Sequence, residues 1–229
     1  MSERLHRCVD ELYEVFGRYP LAPEIDGCPH CVLPEAEAAL RSAPLRRLSA
    51  RALWPFAAKA LTTWGGVNDL RHFLPRVLEL VADGVWDLEI AVPKLRAAQW
   101  TTWPAEEQRC VGDFCQALWH HTLTHPPGER SVADLLPSLQ ELFADPRPFL
   151  SAWWENPAEP ALHQLADLIR SVAASAPACR DEHVVSWICH PRTRESVEAG
   201  VLRAASPVVA RSLSDAYEEV ELLDRTRDG

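Results

Sequence analysis

Apolar residues recur at helical spacing along most of this chain of 229 residues, and this periodicity limits the folds open to it. In the stretch "NDLRHFLPRVLELVADG", six apolar side chains fall on one helical face: Leu70, Phe73, Leu74, Val77, Leu78 and Val81. Asn68 is suited to cap the start of this helix, and Gly84 is suited to end it. No segment joins a two-residue alternation of β-branched residues to a tight glycine turn. The pattern therefore predicts an all-α protein with about ten helices.

The prolines predict where helices begin and where they bend. Three of them fall inside apolar-periodic stretches, where the missing N–H and the ring kink or break a helix: Pro75, Pro93 and Pro137. Three others accompany a tryptophan and are expected to open a helix, where a missing N–H costs nothing: Pro55, Pro104 and Pro157. We therefore expect several bent helices and several that begin at a Trp-Pro pair.

Three tryptophans near these starts, Trp54, Trp103 and Trp154, are 49 and 51 residues apart. HEAT and armadillo hairpins repeat at roughly 40–47 residues and bury a shared core by stacking. The chain therefore resembles an irregular HEAT-like α-α superhelix, and the alternative is an irregular helical bundle. We expect a single domain over residues 1–229, in which an N-terminal helix and a cysteine-containing loop (1–34) pack on the helical-hairpin array (35–229).

The composition narrows the expected cellular location of the protein. The content of 47% hydrophobic and 24% charged residues is that of an ordinary soluble globular protein. No apolar run reaches the roughly 18 residues that span a bilayer, and the N-terminal stretch is amphipathic. The chain has seven cysteines and no visible secretory leader, a combination that favours reduced thiols over disulfides. We therefore expect a cytoplasmic protein with no membrane contact, and the arginine and alanine bias suggests a bacterial genome.

An excess of acidic residues argues against broad binding to nucleic acid. The chain has 33 acidic and 23 basic residues, a net charge of −10, which repels phosphate backbones. One local basic patch, formed by Arg41, Arg46, Arg47 and Arg51 beside Trp54, resembles part of the DNA-binding face of some HEAT-like proteins. A HEAT-like nucleic-acid-binding protein is therefore one alternative function. The other interpretation of the patch is that its arginines pair with nearby acids.

The stretch "DGCPHC" carries the motif with the clearest chemistry. A Pro-His insert between Cys28 and Cys31 resembles the active-site motif of DsbA-like thiol oxidases, in which the first thiolate lies at a helix N-terminus. In those proteins the motif follows a core β-strand, whereas Pro20 and Pro23 precede it here and are excluded from central strands. Another alternative function is therefore a thiol- or metal-dependent enzyme centred on Cys28 and Cys31, and the resemblance implies that it is a thiol-disulfide oxidoreductase.

Two cysteines separated by two residues can also hold one tetrahedral Zn²⁺ through their thiolates. The turn residues around Cys28 and Cys31 suit such a site, but no second CxxC motif supplies the other two ligands. The candidates for those ligands lie in the loop itself and in other segments: His30, His72, Cys8 and His6. The sequence thus predicts a structural zinc at Cys28, Cys31, His30 and His72, or else a loop of metal-free thiols that leads into a helix.

Two other clusters of cysteine and histidine are interpreted as structural. Cys110, Cys115 and His120 are five residues apart, a step of about 140° on a helix that keeps them off a common face. His121 and His125 suit the negative end of the same helix. The stretch "CRDEHVVSWICHP" has only loosely the spacing of zinc ligands. No phosphate loop, nucleophile elbow or HExxH motif is present, so an enzyme has no support beyond the CxxC pair.

These features favour a non-enzymatic helical-repeat protein that binds a protein partner. Extended helical stacks present a long groove, along which a partner can lie. The nine tryptophans supply rigid contacts of the kind enriched at binding hot spots, although most of them are expected in the core. No motif identifies the partner or the oligomeric state.

Overall fold

The computed structural model describes residues 1–128, 130–156 and 158–227, and this part of the chain is helical and contains no β-strand. The all-α prediction is confirmed, and the described residues form twelve α-helices where about ten were expected. In chain order the helices are α1 Glu3–Phe16, α2 Pro34–Leu40, α3 Ala50–Lys59, α4 Val67–Ala82, α5 Val92–Ala97, α6 Ala105–Leu123, α7 Val132–Leu142, α8 Arg147–Ser151, α9 Glu159–Ala174, α10 Glu182–Ile188, α11 Pro191–Arg203 and α12 Pro207–Arg227. None of the described helices has the length and the apolar character that a membrane crossing requires.

Contacts within the chain define two compact units, residues 1–118 and 119–229. In the first unit α1 packs on α4, and in the second unit α9 and α11 pack on α12. Gly200 on α11 permits close packing in the second unit, since a Cβ there would lie 3.1 Å from methyl carbons of both Leu162 and Leu213. The HEAT-like stacking and the organisation of residues 1–229 as one domain stay predictions.

Helix α4 shows how far the local sequence determines a helix and its ends. The six apolar residues predicted on one face, from Leu70 to Val81, are all buried. The helix ends as expected, with Gly84 in the left-handed region at φ +76°. The predicted cap at its start is wrong, because Gly66 rather than Asn68 is the N-cap. The Asp69 carboxylate reaches back and accepts the Gly66 N–H at 2.8 Å.

Two of the three prolines expected inside helices lie there. Pro75 is inside α4 and Pro137 is inside α7, so each removes one helical N–H and favours a bend. Pro93 lies instead in the first turn of α5, where the lost N–H breaks no helical hydrogen bond. The chain thus begins a new helix at Val92, with Pro93 in its first turn, rather than bending an existing one.

The predicted Trp-Pro helix starts are confirmed at one position and wrong at another. Helix α6 begins directly after Pro104, whose carbonyl accepts the Glu107 N–H at 2.9 Å. Pro55 lies inside α3 instead of opening it. This helix begins at Ala50 because the Ser49 hydroxyl caps it by accepting the Ala52 N–H at 3.2 Å. The third predicted start falls on Pro157, which lies outside the described residues.

In the second unit a buried amide joins three segments. Gln164 on α9 is fully buried, and its side-chain NH₂ donates to the carbonyls of Thr122 at 3.3 Å and His125 at 3.0 Å. Its side-chain oxygen accepts the N–H of Val132, the first residue of α7, at 3.0 Å. A buried amide that lacks partners costs about 1–3 kcal/mol. These bonds therefore fix the end of α6 and the start of α7 against α9.

In the first unit a buried carboxylate, Glu107 in the first turn of α6, joins three segments. Its side chain is 0% exposed, and Oε1 accepts a hydrogen bond from the Tyr19 hydroxyl at 2.6 Å. Nε of Arg71, on α4, lies 3.3 Å from Oε2, an ion-pair distance, although the two atoms are not aligned for a hydrogen bond. The Arg71 guanidinium also covers the rings of Tyr19 and Trp103, with Cζ 5.0 Å and 4.5 Å from their centroids. The carboxylate thus holds α4, α6 and the segment after α1 together.

Glu107→Gln is expected to lower the free energy of unfolding by about 3 kcal/mol, because it leaves the largely buried Arg71 cation without its counter-charge. The neighbouring residue provides a matched control. Glu106 is half exposed and pairs with Arg18 at the surface, so Glu106→Gln should cost at most about 1 kcal/mol. Urea unfolding followed by circular dichroism measures both losses. Equal losses in the two variants would contradict the role assigned to Glu107.

Gly84 and Gly112 are expected to respond in opposite directions to substitution by alanine. Because Gly84 has a positive φ, Gly84→Ala should lower the free energy of unfolding by about 1 kcal/mol. Gly112 lies inside α6, and no atom is within 4 Å of a Cβ added to it. Gly112→Ala should therefore raise the free energy of unfolding by about 0.5–1 kcal/mol. Thermal melts of both variants test this, and a stabilised Gly84→Ala protein would refute the account of the α4 terminus.

Candidate functional site

The candidate site is a turn that carries Cys28 and Cys31, and we name it the dithiol turn (residues 28–31). It lies between α1 and α2 and is attached to the connection between α3 and α4. The Cys28 N–H donates to the Thr63 carbonyl at 2.8 Å, and the Gly65 N–H donates to the Asp26 carbonyl at 2.6 Å. These two backbone bonds fix the entrance of the turn against a connection that is distant in sequence.

Gly27 permits the close approach of the two segments. It pairs with Trp64 as an isolated antiparallel bridge. A Cβ at this position would lie 3.0 Å from Cγ2 of Val32 and 3.2 Å from Cδ1 of Trp64, which leaves little space for any side chain. The connection between α3 and α4 reverses tightly, with Leu61 at φ +63° and Gly65 at φ +69°. Both partners in this contact are therefore held by their own backbone geometry.

The two cysteines lie on a single hydrogen-bonded turn. The N–H groups of Cys31 and Val32 both donate to the Cys28 carbonyl, each at 2.9 Å. The ammonium group of Lys59, the last residue of α3, donates to the Cys31 carbonyl. Both cysteines are half-buried and both are free thiols. The turn thus brings two reduced thiols together at positions that solvent can reach.

Hydrogen bonds make the two thiols unequal. The pKa of the Cys28 thiol is lowered, first by the backbone N–H of His30, then by a side-chain hydrogen bond with Cys31 and by the Cys31 N–H. The pKa of Cys31 is raised, first by that side-chain hydrogen bond and then by the charge of Cys28. Lys59 and Thr63 act in the opposite direction and lower the pKa of Cys31. Cys28 is therefore the more acidic thiol of the pair, and Cys31 is the less acidic one.

The histidines predicted as zinc ligands are not gathered with the two cysteines into a ligand group. His72 lies on α4, where its Nδ1 is 2.8 Å from the Tyr19 carbonyl oxygen. The centroid of its ring is 4.7 Å from that of the Phe73 ring. His30 is exposed within the dithiol turn. Across the described part of the chain, no three His, Cys, Asp or Glu side chains are placed to hold a metal ion. Zinc binding stays a prediction that rests on two protein thiols.

Three other cysteines of the first unit have weakly acidic thiols. Cys110 and Cys115 on α6 are buried, and burial raises the pKa of each to about 12. Burial also raises the pKa of Cys8, whose thiol donates to the Asp113 carbonyl at 3.7 Å. These thiols fit the structural interpretation of the α6 cysteines, because a protonated buried thiol packs as a small apolar group.

The histidines at the end of α6 contact each other. The ring centroids of His121 and His125 are 4.5 Å apart, and Nδ1 of His125 lies 2.9 Å from the His121 carbonyl oxygen. Burial, followed by the neighbouring His125, lowers the pKa of His121 to about 4. His121 is therefore neutral at pH 7.

Two arginines of the predicted basic patch pair with acids, as one interpretation of the sequence expected. Arg46 contacts the Asp10 carboxylate, and its Cζ lies 4.3 Å from the centroid of the Tyr13 ring. Arg41 lies 3.2 Å from the Glu37 carboxylate. The charges of these two guanidinium groups are balanced locally, which weakens the patch as a surface for phosphate groups.

Sequence reasoning missed the segment that holds the dithiol turn. Lys59 and Thr63 contact the turn itself, and Gly65 contacts Asp26 just before it. All three lie in the stretch "KALTTWGG". The paired glycines after a tryptophan were a signal for a tight reversal. Nothing in a single sequence, however, pairs that reversal with residues 26–28, because the bonds between them are backbone to backbone.

Cys28 is expected to be the fastest thiol toward iodoacetamide near neutral pH, because its lowered pKa leaves more thiolate there. As the pH rises, its rate should level off earlier than that of the thiol in an unstructured peptide. Timed alkylation followed by peptide mass spectrometry gives the rate at each cysteine. The exposed Cys179 serves as the internal comparison. If Cys28 reacts no faster than Cys179 at any pH, the assignment of the thiolate is wrong.

Known proteins offer no relative from which a function could be transferred. No family model, curated protein or solved structure matches the chain. What the protein does is therefore inferred from the chemistry of its own residues, beginning with the dithiol turn and its lowered Cys28 pKa.

Proposed function

We propose that the protein carries out thiol-disulfide exchange through Cys28 and Cys31. The observation that supports this most directly is the single turn that carries both half-buried thiols, whose Cys28 carbonyl accepts the N–H groups of Cys31 and Val32, together with the lowered pKa of Cys28 beside the raised pKa of Cys31. A lowered pKa favours the thiolate, which is the nucleophile in disulfide exchange. Both residues are only half-buried, so a substrate disulfide has access to them.

In the proposed reaction the Cys28 thiolate attacks one sulfur of a substrate disulfide, and the other substrate sulfur leaves as a thiolate. The Cys31 thiol then gives up its proton, which passes to the leaving group, and attacks the Cys28 sulfur of the mixed disulfide. A disulfide between Cys28 and Cys31 forms, and the second substrate sulfur leaves. Two electrons have passed from the protein to the substrate. A dithiol reductant restores the two thiols by the reverse steps.

The electrostatics of the turn favour the second step once the first has occurred. The negative charge of Cys28 raises the pKa of Cys31 in the resting protein. In the mixed disulfide this charge is absent, whereas Lys59 and Thr63 still lower the pKa of Cys31. The resolving thiol therefore becomes more acidic at the stage at which it must attack.

The helical setting distinguishes this dithiol from that of DsbA-like oxidases. No strand precedes the motif in the described residues, and the turn is held by backbone bonds to the connection between α3 and α4. The likeness to those oxidases is limited to the motif itself. The proposal accordingly depends on the geometry of the turn and not on a shared fold.

Zinc binding is the second candidate function of the same thiols. Two thiolates separated by two residues are a common half of a zinc site, and hydrogen bonds to ligand atoms orient them. The turn supplies both features. The other ligands would come from water or from a second molecule, because the described residues provide no group of three ligands. Such a zinc would act as a clamp on the turn.

Partner binding, a cytoplasmic location and a bacterial origin complete the proposal. If the substrate disulfide belongs to a protein, that protein is the binding partner. Reduced thiols persist in the cytoplasm, which fits the proposed location. The net charge of −10 disfavours nucleic acid as that partner. A HEAT-like stack of helices remains the architecture proposed for presenting the turn.

The Cys31→Ser variant is expected to accumulate a mixed disulfide with oxidised glutathione, because its Cys28 thiolate attacks but cannot be resolved. The wild-type protein should instead lose two hydrogen atoms and release glutathione as its own disulfide closes. Cys28→Ser should accumulate much less of the mixed species, since the more acidic thiol is gone. Intact-protein mass spectrometry after acid quenching measures all three products.

Cys179→Ser is the matched control and should behave as the wild type does. Equal trapping in the two single variants of the turn, or a wild-type protein that closes no disulfide, would rule out the exchange mechanism. Metal analysis of the purified protein separates the second candidate from the first. One equivalent of zinc, with both thiols blocked to alkylation until a chelator is added, would favour the clamp.

A further inference from the structure

Trp54 is the exception among the nine tryptophans of the chain. The others are buried or half-buried, whereas Trp54 on α3 is 50% exposed. Its ring meets that of Trp86 with the centroids 5.7 Å apart and the planes at 64°. The two indoles therefore form adjoining walls of an open corner on the first unit. Exposed tryptophans of this kind are enriched where proteins bind their partners.

This corner belongs to a cleft of about 380 Å³, which we name the indole cleft. Six residues line it: Trp54, Val85, Trp86, Asp87, Glu89 and Ile90. The volume lies in the range of about 300–1,000 Å³ that is typical of ligand sites in proteins. Val85 is itself 54% exposed, so the apolar surface continues to the rim. The cleft thus has the size and the walls to receive one side chain.

The cleft is preformed by the C-terminal end of α4. Gly84, at φ +76°, turns the chain out of the helix, and its N–H donates to the Val81 carbonyl at 3.1 Å. The N–H groups of Val85 and Trp86 then both donate to the Leu80 carbonyl, at 3.0 Å and 3.2 Å. Because these bonds hold the backbone of Trp86, a ligand does not need to order it on binding.

Two acidic residues give the indole cleft a negative rim. Asp87 and Glu89 are exposed, and neither carboxylate has an ion-pair partner among the described residues. Lys94 on the nearby α5 does not neutralise them through an ion pair, because its ammonium donates to the Ala58 carbonyl at 2.8 Å. Indole faces and carboxylates both attract cations. The complement of this surface is therefore a positively charged group with an apolar stem.

We propose that the indole cleft binds an arginine side chain of a protein partner. A planar guanidinium can stack on an indole face while its N–H groups donate to a carboxylate, which an ammonium matches less well. An arginine stem can cover the apolar wall beside Val85. A ligand that carries phosphate would meet the repulsion of Asp87 and Glu89. This site does not depend on the chemistry proposed for Cys28.

To test this, the 229-residue protein is titrated with an acetylated heptapeptide of alternating glycine and arginine. Calorimetry at low salt measures the affinity. A reference peptide carries citrulline at each arginine position, which keeps the shape and removes the charge. The arginine peptide is expected to bind about tenfold more tightly than the citrulline peptide. Trp54→Ala should weaken its binding about tenfold. The double variant Asp87→Asn, Glu89→Gln should also weaken it and flatten its salt dependence.

Two controls lie in the second unit. Leu202→Ala removes another exposed apolar side chain, Glu198→Gln removes another exposed carboxylate, and both should leave the affinity unchanged. A thermal melt checks the folding of each variant, and the surface double variant tests the cleft even if Trp54→Ala is unstable. Equal affinity for the arginine and citrulline peptides, or for a lysine peptide, would overturn the proposal. A dimer of the free protein that Trp54→Ala dissociates would do so too, since the occupant would then be a second copy.

Discussion

The first unit depends on the burial of one negative charge. Moving a carboxylate out of water costs several kcal/mol unless suitable partners offset the loss of hydration. Glu107 finds them in the Tyr19 hydroxyl and the Arg71 guanidinium, which belong to two other segments. The next residue, His72, bonds in turn to the Tyr19 carbonyl. Because Tyr19 lies on the segment that leads to the dithiol turn, the buried charge also directs the chain toward the candidate site.

Helix type and apolar faces could be predicted from the sequence because both depend on spacing within one segment. The residues from Leu70 to Val81 are buried as expected, since a helical period defines a face without knowledge of its neighbours. Helix starts were harder to predict, because several local bonds compete for the same N–H groups. Ser49 begins α3 well before Pro55, and Asp69 rather than Asn68 serves the first turn of α4.

The candidate site could be predicted only in part, and the missing part is long-range. The spacing of Cys28 and Cys31 was enough to place two thiols on one turn. The bonds that hold this turn come from the connection between α3 and α4, and backbone bonds leave no trace in side-chain patterns. His72 was predicted as a ligand from its position beside an apolar face. One of its ring nitrogens instead contacts the carbonyl of Tyr19, a residue from a different segment.

Helix α3 contributes a residue to both the dithiol turn and the indole cleft. Lys59, its last residue, holds the Cys31 carbonyl, and Trp54, five residues earlier, forms a wall of the cleft. On an ideal helix five residues correspond to about 7.5 Å of rise and about 140° of rotation. Trp54 and Lys59 therefore lie on different faces of α3. One residue inserted between them would turn one of these side chains by about 100° relative to the other, so a change in the length of this helix would alter the relative orientation of the turn and the cleft.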